Sequence, residues 1–504
     1  MRTAIKRAEL LVRRDATLGT IAPELAAVYG DRRLVEEAGG GLRLTYRQAA
    51  KRVCRWAGGV RDRVEPGDRV VIAAANSYEM FLLTMAVSRA GAIPVPLNEQ
   101  MRPDEIRHVI ADSGAALTIR SATEIDGAEP VTEHPQQRPS DIAALFYTSG
   151  TTGRPKGVEL THQALVGQVV AGVAWPSALR RDEALYALPI AHIMGYVVLM
   201  GMACAGIGVF LMPHFHPIDV LDAMERRRSS IFIGVPAMYR MLAEAGAAER
   251  DLSSVRLWAS GADAMPAELA QQFKKMGALA TVPFVGPIGE ATFAEGYGLV
   301  ESAGGVAAKV SPPFLNLGLG DSVGFQLPGY KMRVVDDEGN DVAQGQVGEL
   351  WVQGPGITKG YWNAPETTAQ TVTDDGWLRT GDLARKGPLG TVLFAGRQKD
   401  VIKHGGYSVY AVEVQASLED HPEVLEAAVL GMPHPRVGEV PVAAVRLTED
   451  ATLTPERLIA WATEHVAEYK VPHQVVVVDE LPRTGTKKVQ KDQLRPLFAP
   501  IDAP

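Results

Sequence analysis

Residues Ala144 to Leu160 read Ala-Leu-Phe-Tyr-Thr-Ser-Gly-Thr-Thr-Gly-Arg-Pro-Lys-Gly-Val-Glu-Leu, an apolar strand that runs into a loop of glycines, hydroxyls and basic residues. Glycines let backbone N–H groups point inward at an anion, hydroxyls add donors, and Lys156 adds positive charge. The combination favours a polyphosphate ligand over the simpler alternative, a Gly- and Thr-rich surface turn. It is not a Walker A loop, because Lys156 is followed by Gly157 and not by Ser or Thr.

The composition places this loop in a large globular chain. Of its 504 residues, 46% are hydrophobic and 22% are charged, so the chain has apolar surface for large cores and lacks the signature of a disordered protein. The length predicts about two to four domains. Its 50 glycines and 33 prolines follow no collagen-like period, which argues against a structural protein.

The charge balance bears on the partner. Lys and Arg number 51 against 59 Asp and Glu, for a formal net charge of −8. Proteins that bind nucleic acid through its phosphates usually carry a basic domain, so we expect no nucleic-acid partner. Any phosphate-bearing ligand must therefore be held by a few local cations.

Three further features favour the cytoplasm. Cys54 and Cys204 are too few for a disulfide framework and lack metal-ligand spacing. The basic N-terminal stretch has no continuous apolar segment behind it, so we expect no signal peptide. Ile193 to Met212 spans twenty residues without a charge, but its four glycines and the flanking His192 and His214 favour a buried helix, turn and strand over a membrane span.

Helical and strand patterns alternate over the first 120 residues, which predicts βα units and a mostly parallel sheet. Residues 121–140 are polar and unpatterned and indicate an exposed link. Further strands are expected at 251–260 and 281–285.

From Tyr330 the pattern changes to hairpins, and after Arg397 it changes again. We therefore predict an N-terminal domain over residues 1–396, in which about 330–396 forms a β-rich subdomain. Residues 397–504 have their own helices and strands and are expected to form a separate C-terminal domain.

Five further motifs follow the loop in order along the chain. They are Ser260-Gly-Ala-Asp-Ala-Met265, Gly296-Tyr-Gly-Leu-Val-Glu301, Gly376-Trp-Leu-Arg-Thr-Gly-Asp382, Gly396-Arg-Gln-Lys-Asp-Val-Ile-Lys-His-Gly-Gly-Tyr407 and Leu481-Pro-Arg-Thr-Gly-Thr-Lys-Lys-Val489. With the loop, they make nearly the whole chain resemble the adenylate-forming superfamily, which includes acyl-CoA synthetases, peptide-adenylation domains and firefly-type luciferases.

The resemblance implies an α/β fold. A large N-terminal domain of parallel and mixed sheets sandwiched with helices would carry a small β-barrel-like subdomain, and a small, mobile α+β C-terminal domain would rotate about a hinge at Lys399. It also implies a two-step reaction: ATP and a carboxylic acid form acyl-AMP and pyrophosphate, and CoA then takes the acyl group as a thioester.

The residues that match the nucleotide-binding motifs are expected to hold ATP or AMP. Tyr297 would stack on adenine, Asp382 would accept the ribose hydroxyls, and Arg397 would reach the ribose and phosphates. The set implied by the resemblance is Thr148, Ser149, Gly150, Thr151, Thr152, Lys156, Gly261, Ala262, Asp263, Gly296, Tyr297, Gly298, Val300, Asp382 and Arg397. A turn or cap carboxylate is the alternative for Asp382, and a structural ion pair is the alternative for Arg397.

The residues expected to be catalytic are Glu301, Lys488, Lys403 and His192. Glu301, with Thr148, would hold Mg²⁺ through hard oxygen ligands. Lys488 would bridge the carboxylate and the α-phosphate during adenylation. The alternatives are a surface carboxylate for Glu301 and a solvated tail lysine for Lys488.

The thioester step would use another part of the C-terminal domain. Lys403 and the Gly405-Gly406 loop are expected to bind CoA after the domain rotates, because glycine backbone lets a pantetheine arm pass closely. An ordinary lysine at a strand end is the alternative for Lys403.

Two residues depart from the pattern of the family. Val300 stands where the family commonly has Thr, and Lys487 stands where it usually has Gly. A lost hydrogen bond to a charged group is worth about 1.5–3 kcal/mol, or roughly one to two powers of ten in rate. We hypothesise that adenylation is weakened, so that the protein mainly converts acyl-AMP supplied by a separate adenylating enzyme into acyl-CoA.

The expected acyl pocket is apolar and made of small residues, which favours a bulky hydrophobic acid. Its candidate residues are His192, Gly195, Val235, Pro236, Ser260, Gly261 and Gly298. His192 would gate the pocket or contact the carboxylate, with a core histidine as the alternative. Phe215-His216 stands where amino-acid-activating relatives commonly have Phe-Asp, which argues against an amino acid substrate.

Other functions remain open on the sequence alone. An acyl-AMP ligase would hand its product to a carrier protein instead of CoA. A protein that binds nucleotide or acyl-adenylate without turnover is a second alternative, and a luciferase-like oxygenase rests on the fold alone. Either a monomer or a homodimer fits the sequence.

Overall fold

The computed structural model describes residues 2–13, 15–98, 101–133, 136–148, 154–177, 182–315, 322–484 and 487–500. The chain forms two compact units: Met1–Lys331 with Val352–Leu378, and Met332–Trp351 with Arg379–Pro504. Most of the predicted β-rich subdomain thus falls in the second unit. The domain boundary after residue 396 and the hinge at Lys399 stay predictions.

The α-helices of the described residues are α1 (Arg2–Arg13), α2 (Ile21–Tyr29), α3 (Tyr46–Arg61), α4 (Tyr78–Arg89), α5 (Pro103–Ser113), α6 (Ile193–Ala205), α7 (Pro217–Arg227), α8 (Pro236–Glu244), α9 (Ala267–Met276), α10 (Pro365–Thr371), α11 (Ala411–Glu419), α12 (Pro455–His465) and α13 (Lys491–Leu494).

The strands of the described residues are β1 (Arg33–Glu37), β2 (Arg43–Thr45), β3 (Arg69–Ile72), β4 (Ile93–Pro96), β5 (Leu117–Ile119), β6 (Ile142–Thr148), β7 (Lys156–Thr161), β8 (Glu183–Tyr186), β9 (Gly208–Leu211), β10 (Ile231–Gly234), β11 (Leu257–Gly261), β12 (Ala280–Val282), β13 (Gly286–Ile288), β14 (Thr292–Leu299), β15 (Gly304–Ser311), β16 (Phe325–Gln326), β17 (Lys331–Val335), β18 (Val347–Gln353), β19 (Leu378–Lys386), β20 (Val392–Arg397), β21 (Val401–His404), β22 (Tyr407–Tyr410), β23 (Val424–His434), β24 (Gly438–Leu447) and β25 (Gln474–Val477).

The first unit is built on a mixed sheet of nine strands in the order β16-β15-β14-β11-β10-β8-β9-β1-β2. The strands from β14 to β1 are parallel neighbours, and antiparallel strands close both edges. Parallel neighbours need long crossovers, which the helices between them supply. The expected α/β fold with a mostly parallel sheet is therefore confirmed. A smaller parallel sheet, β4-β3-β5, and the β6-β7 hairpin complete the part that carries the phosphate loop.

The uncharged stretch from Ile193 to Met212 forms the expected buried helix, turn and strand. His192 caps α6, Gly206 ends it with a left-handed φ of 72°, and β9 follows inside the sheet. In the described part of the chain, no helix is long and apolar enough to cross a membrane.

Five buried aromatic side chains stiffen the sheet at the site. Phe232, Trp258 and Phe293 lie in register on β10, β11 and β14, so they share one face. Tyr239 of α8 and Phe273 of α9 cover that face, with ring centroids 4.9 Å apart and Phe273 5.1 Å from Trp258. Such edge-to-face packing fixes the carboxyl ends of the three strands relative to one another.

Two strand predictions need correction. The strand expected at 281–285 is instead a hairpin between β12 and β13, with Phe284 at the turn and a φ of 67°. Pro283 has no N–H to donate, so it cannot continue a ladder. The strand expected at 251–260 begins only at Leu257, because the Asp251 side chain accepts the Ser253 N–H at 3.1 Å and forms a turn.

The second unit contains the four-stranded sheet β17-β18-β19-β20 and a five-stranded sheet, β22-β21-β24-β23 with β25 beside β24. Alternate residues of β23 face two cores. Ala427 and Val429 join the core beneath α11 and α12, and Ala428 and Leu430 join the core with Leu481. This two-sided sheet with helices is the α+β domain that the sequence predicts.

A buried histidine, His162, links the end of β7 to the segment before α2. It is 1% exposed, and its Nδ1 accepts the Leu18 N–H at 3.0 Å. Because Nδ1 accepts, the neutral ring carries its proton on Nε2. Burial lowers the pKa of this imidazole to about 4.

We expect the free energy of unfolding to fall as the pH drops from 6.5 towards 4, since the unfolded chain takes up a proton at His162 that the folded chain does not. A pKa of about 4 against 6.5 corresponds to a loss of about 3 kcal/mol. Urea unfolding from pH 7.5 to pH 4.5 measures it, with His162→Asn as control because its Oδ1 can replace Nδ1. The His162→Asn variant should lose this part of the pH dependence of the free energy of unfolding. Identical pH dependence in the variant and the wild-type protein would show that His162 is not its source.

Candidate active site

The predicted adenine motifs meet at the carboxyl ends of two parallel strands. β11 and β14 pair in register, with Ser260 opposite Glu295 and Gly261 opposite Gly296. Open α/β sheets bind ligands at this edge. The structure therefore brings the two predicted strings together, although 35 residues separate Gly261 from Gly296 in the sequence.

Gly296 has open space where a side chain would lie. A Cβ built at Gly296 meets no atom within 4 Å, and its φ is not left-handed, so neither packing nor conformation requires glycine there. The opposite holds at Gly298, whose Cβ would lie 1.8 Å from the Gly304 carbonyl oxygen. Gly298 is thus needed for strand pairing, whereas Gly296 leaves open space on the strand face opposite the Tyr297 side chain, the face that it shares with Gly261.

The turn after β11 carries Ala262 and Asp263. Ala262 has a left-handed φ of 70°, an uncommon conformation for a residue with a side chain. Asp263 is exposed, and its carboxylate accepts the N–H of Ala264 at 3.0 Å. The turn is held by its own side chain and presents its backbone at the strand end.

Glu301 lies in a short helical turn after β14, and Tyr361 holds its carboxylate. The Tyr361 hydroxyl donates to Glu301 Oε1 at 2.7 Å, and the Thr358 N–H donates to the Glu301 carbonyl at 2.8 Å. Burial, together with the Glu301 charge, raises the pKa of Tyr361 above its usual range. The sequence analysis missed Tyr361, because nothing local relates it to a carboxylate 60 residues earlier.

The phosphate loop is described at its two ends. β6 and β7 form an antiparallel hairpin in which Thr148 faces Lys156. The exposed Lys156 ammonium lies 3.3 Å from Thr367 Oγ1 and 5.8 Å from the centre of the Tyr361 ring. Glu301 therefore meets the Tyr361 hydroxyl, whereas the Lys156 ammonium lies over the Tyr361 ring. Ser149, Gly150, Thr151 and Thr152 lie outside the described residues.

Val300 packs against the main hydrophobic core. Its side chain therefore contributes packing where a threonine would add a hydroxyl. Tyr297, two residues before Leu299 on β14, is partly buried and lies opposite Ala307 of β15.

The predicted acyl-pocket residues lie around α6, α8 and the end of β11. His192 is partly buried, and its Nδ1 accepts the Met194 N–H at 3.4 Å at the start of α6, where Gly195 is buried. Val235 and Pro236 begin α8 and are likewise buried. His192 is a helix cap at the edge of this region, and a role toward the acid stays a prediction.

Ser260 and Gly261 point to opposite faces of the sheet, as neighbours on a strand do. A Cβ at Gly261 would lie 3.2 Å from Met194 Cε, so this residue faces α6. Ser260 is 4% exposed, and its hydroxyl has no hydrogen-bond partner among the described residues. The sequence analysis placed both residues in one pocket. In the structure, Met194 limits the free space on the face of β11 that Gly261 shares with α6.

In the second unit, Asp382 and Arg397 form an ion pair. The Arg397 Nε lies 2.8 Å from Asp382 Oδ1, the two residues face each other across β19 and β20, and Asp382 is buried. The ion-pair alternative for Arg397 thus describes the arrangement in this structure. Their roles toward ribose and phosphate stay predictions.

Lys399, the predicted hinge residue, lies near the predicted adenylation lysine. Burial lowers the pKa of Lys399, and the positive charges of Arg397 and Lys488 add to the effect, against the opposing Asp400 carboxylate. Lys491 lies 3.7 Å from Asp400. The hinge segment and the C-terminal loop are therefore electrostatic neighbours within the second unit.

The predicted CoA loop is a tight turn between β21 and β22. Gly405 and Gly406 have φ values of 55° and 87°, which favour glycine, and the Gly405 N–H donates to the Val437 carbonyl at 2.8 Å. Lys403 is exposed, and its ammonium donates to Ser408 Oγ at 3.0 Å. The loop thus presents backbone and one cation to solvent.

Lys487 adopts a left-handed φ of 65° immediately before Lys488. This conformation costs a residue with a side chain roughly 1–2 kcal/mol relative to the right-handed one. The family glycine that Lys487 replaces would avoid this cost. The departure found in the sequence is therefore a strained position in the structure.

The family model described as AMP-binding enzyme matches residues 23–362, and the model of the AMP-binding enzyme C-terminal domain matches residues 413–488. Feruloyl-CoA synthase from an Amycolatopsis species is 34% identical over 491 residues, which cover 91% of this chain and 95% of the relative. Indoleacetate–CoA ligase from Aromatoleum aromaticum is 32% identical over 492 residues, which cover 90% and 93%.

A solved structure supports the same likeness. ATP-bound MatB from Rhodopseudomonas palustris superimposes with a TM-score of 0.84 at 29% sequence identity, covering 96% of this chain and 99% of MatB.

We expect Tyr361→Phe to weaken the binding of ATP with its divalent cation by about 10- to 100-fold, since a hydrogen bond to a charged group is worth about 1.5–3 kcal/mol. Calorimetry with ATP and Mg²⁺, and electron paramagnetic resonance of Mn²⁺ with ATP, measure the affinity. Tyr46→Phe is the matched control, because its buried hydroxyl donates to the Ala203 carbonyl at 2.8 Å, far along the chain from Glu301. Equal affinities of the two variants for ATP and its divalent cation would show that Tyr361 does not contribute to the site.

Proposed function

The chain belongs to the family of AMP-binding enzymes and is an ATP-dependent, AMP-forming acid–thiol ligase, and we propose that its substrate is a bulky hydrophobic acid, with aromatic acids preferred. The observation that carries the proposal is the edge formed by β11 and β14, where Gly261 and Gly296 lie side by side and Gly296 leaves open space on the face opposite the Tyr297 side chain. Ring, ribose and phosphate sites then follow from the motifs matched along the chain. We further propose that the protein acts in the cytoplasm.

We propose that Glu301 and Thr148 would hold Mg²⁺. Glu301 supplies one carboxylate and Thr148 one hydroxyl, and among the described residues no group of three His, Cys, Asp or Glu could hold a metal by itself. Mg²⁺ commonly binds to one or two carboxylates and to the phosphates of its substrate, so this pair suits an ion that arrives with ATP. The ion would neutralise phosphate charge, and Tyr361 would orient the Glu301 carboxylate toward it.

In the first step, a carboxylate oxygen of the acid attacks the α-phosphorus of ATP. The new bond is the mixed anhydride of acyl-AMP, and the bond from the α-phosphorus to the bridging oxygen breaks to release pyrophosphate. Lys156 and Arg397 would offset the phosphate charge, and Lys488 would bring the two anions together. Catalysis here is mainly positioning and charge neutralisation.

In the second step, the sulfur of CoA attacks the acyl carbon and AMP leaves with the electron pair of the anhydride C–O bond. We propose that rotation at Lys399 exchanges Lys488 for Lys403 and the Gly405-Gly406 loop. The left-handed glycines and the exposed ammonium of that loop support a role in admitting the pantetheine arm and its phosphates.

The preference for an aromatic acid draws on the relatives and on the pocket. Feruloyl-CoA synthase and indoleacetate–CoA ligase are named for acids that carry a ring. In this chain Gly261 has no side chain on the α6 face, where Met194 is a soft, adaptable neighbour. The flexible Met194 side chain would have to move to make room there for a flat hydrophobic group.

We also propose that adenylation is the slower half-reaction. Val300 offers no hydroxyl to phosphate, and Lys487 strains the loop that carries Lys488. Neither residue belongs to the CoA loop. A separate enzyme that supplies acyl-AMP, or a carrier protein in place of CoA, would be compatible with this bias.

The test compares the two half-reactions of the purified full chain. Pyrophosphate exchange with ferulic, indoleacetic and palmitic acids measures adenylation, and thioester formation from the three synthetic acyl-adenylates and CoA measures the second step. We expect the aromatic pair to exceed palmitic acid in both assays. We expect Val300→Thr to raise adenylation about 10-fold or more by adding a hydrogen bond to phosphate, with thioester formation unchanged.

Each outcome decides one part of the proposal. Robust exchange in the wild-type protein, equal to that of Val300→Thr, would contradict a weakened first step. Palmitic acid as the best substrate would contradict the aromatic preference. Transfer of the acyl group to a carrier protein and not to CoA would show that the thiol acceptor is a carrier protein. Tight adenylate binding without either transfer would indicate a binding protein.

A further inference from the structure

The loop that carries Lys488 is held at both ends by Arg483 and Thr484. Arg483 forms a β-bridge to Val489. The Thr484 N–H donates to the Lys488 carbonyl at 2.8 Å, and the Lys488 N–H donates to Thr484 Oγ1 at 3.2 Å. The backbone of Lys488 is therefore fixed by hydrogen bonds to Thr484 in both directions.

The Arg483 guanidinium connects this loop to a buried carboxylate on β23. Its Nη2 donates to both oxygens of Glu426, at 2.6 Å from Oε1, and its Nη1 donates to the carbonyl of Lys487 at 2.9 Å. Glu426 is 3% exposed and pairs with Arg446 near the start of β23, next to a register shift in the antiparallel pairing with β24. One planar cation thus joins β23 to the residue before Lys488.

The Arg483–Glu426 pair lies next to the residue of the loop whose backbone conformation needs stabilisation. Lys487 is left-handed at a position where glycine would adopt the same conformation at no steric cost. A carboxylate buried this deeply must be paired, so Glu426 keeps Arg483 in one orientation. The hydrogen bond from Arg483 to the Lys487 carbonyl then restrains the orientation of that peptide.

We propose that Arg483, held by Glu426, is a positioning residue that keeps Lys487 in its left-handed conformation and so presents Lys488 for adenylation. The inference rests on the proposed function, in which Lys488 acts in the first half-reaction and has left the site in the second. It assigns to this chain a device that compensates for the missing glycine at position 487.

The decisive variant is Arg483→Lys, which keeps a cation beside Glu426 and removes the bond to the Lys487 carbonyl. We expect adenylation to fall about 10-fold or more, since a hydrogen bond from a charged donor is lost, while thioester formation from synthetic feruloyl-adenylate stays within about twofold. Adenylation is read as pyrophosphate exchange with the best of the three acids and, in reverse, as ATP formed from feruloyl-adenylate and pyrophosphate.

Arg446→Lys is the matched control. Arg446 also faces Glu426, at 3.8 Å, and its Nε donates to the Asp479 carbonyl at 3.1 Å. It should leave both half-reactions near wild type. Equal losses of adenylation in Arg446→Lys and Arg483→Lys would show a general effect of the buried pair and overturn the positioning role.

A second background keeps the inference testable if Arg483→Lys is unstable. In Lys487→Gly the loop can adopt the left-handed conformation by itself, so adding Arg483→Lys should reduce adenylation by less than it does beside Lys487. An undiminished effect of Arg483→Lys in the glycine background would overturn the inference. So would parallel losses in both half-reactions, which are expected if Arg483 only supports the fold.

Lys488→Ala separates this inference from the proposed function. A wild-type adenylation rate no higher than that of Lys488→Ala would overturn the inference, because the position of Lys488 would then have no effect on adenylation. Failure of the wild-type protein to form any thioester from feruloyl-, indoleacetyl- or palmitoyl-adenylate would count against the proposed function itself.

Discussion

The in-register pairing of β11 with β14 is the constraint on which the site depends. It sets Gly261 beside Gly296 at the carboxyl edge of the sheet, and the aromatic cluster of Trp258 and its neighbours holds the strands from below. A shift of one residue would turn Gly296 away from the open edge and direct another side chain there. The proposed adenine and acyl sites and the Glu301 turn all take their places from this one register.

A chain with a net charge of −8 attracts anionic substrates only through local cations. Each of these cations is held by a particular partner. Lys156 lies against Tyr361, Arg397 against Asp382, and the Lys488 loop is tied through Arg483 to Glu426. Site charge is thus positioned by contacts between distant parts of the sequence within each unit, and overall composition contributes little to it.

Local sequence patterns predicted much of this architecture. They predicted few of the side-chain contacts that hold the functional residues in place. The parallel sheet and the buried helix at Ile193 depend on short-range hydrophobic spacing and turn chemistry, so they could be read from sequence, whereas the meeting of the two glycine strings was implied by the family resemblance. Tyr361 and Glu301, or Arg483 and Glu426, are 60 and 57 residues apart, and no local signal relates them. The turn at Phe284 interrupts the strand expected at 281–285, because Pro283 has no N–H to donate to a ladder.

The most direct test of the central claim is the affinity of a stable acyl-adenylate analogue, feruloyl sulfamoyl adenosine, for the wild-type protein and for Gly296→Ala. A methyl group at position 296 meets no protein atom within 4 Å and needs no unusual backbone, so the fold should tolerate it and the melting temperature should be unchanged. If the adenylate lies on this strand edge, the methyl group occupies its space, and we expect calorimetry to show at least a 10-fold loss of affinity. Unchanged affinity in an equally stable variant would contradict the account.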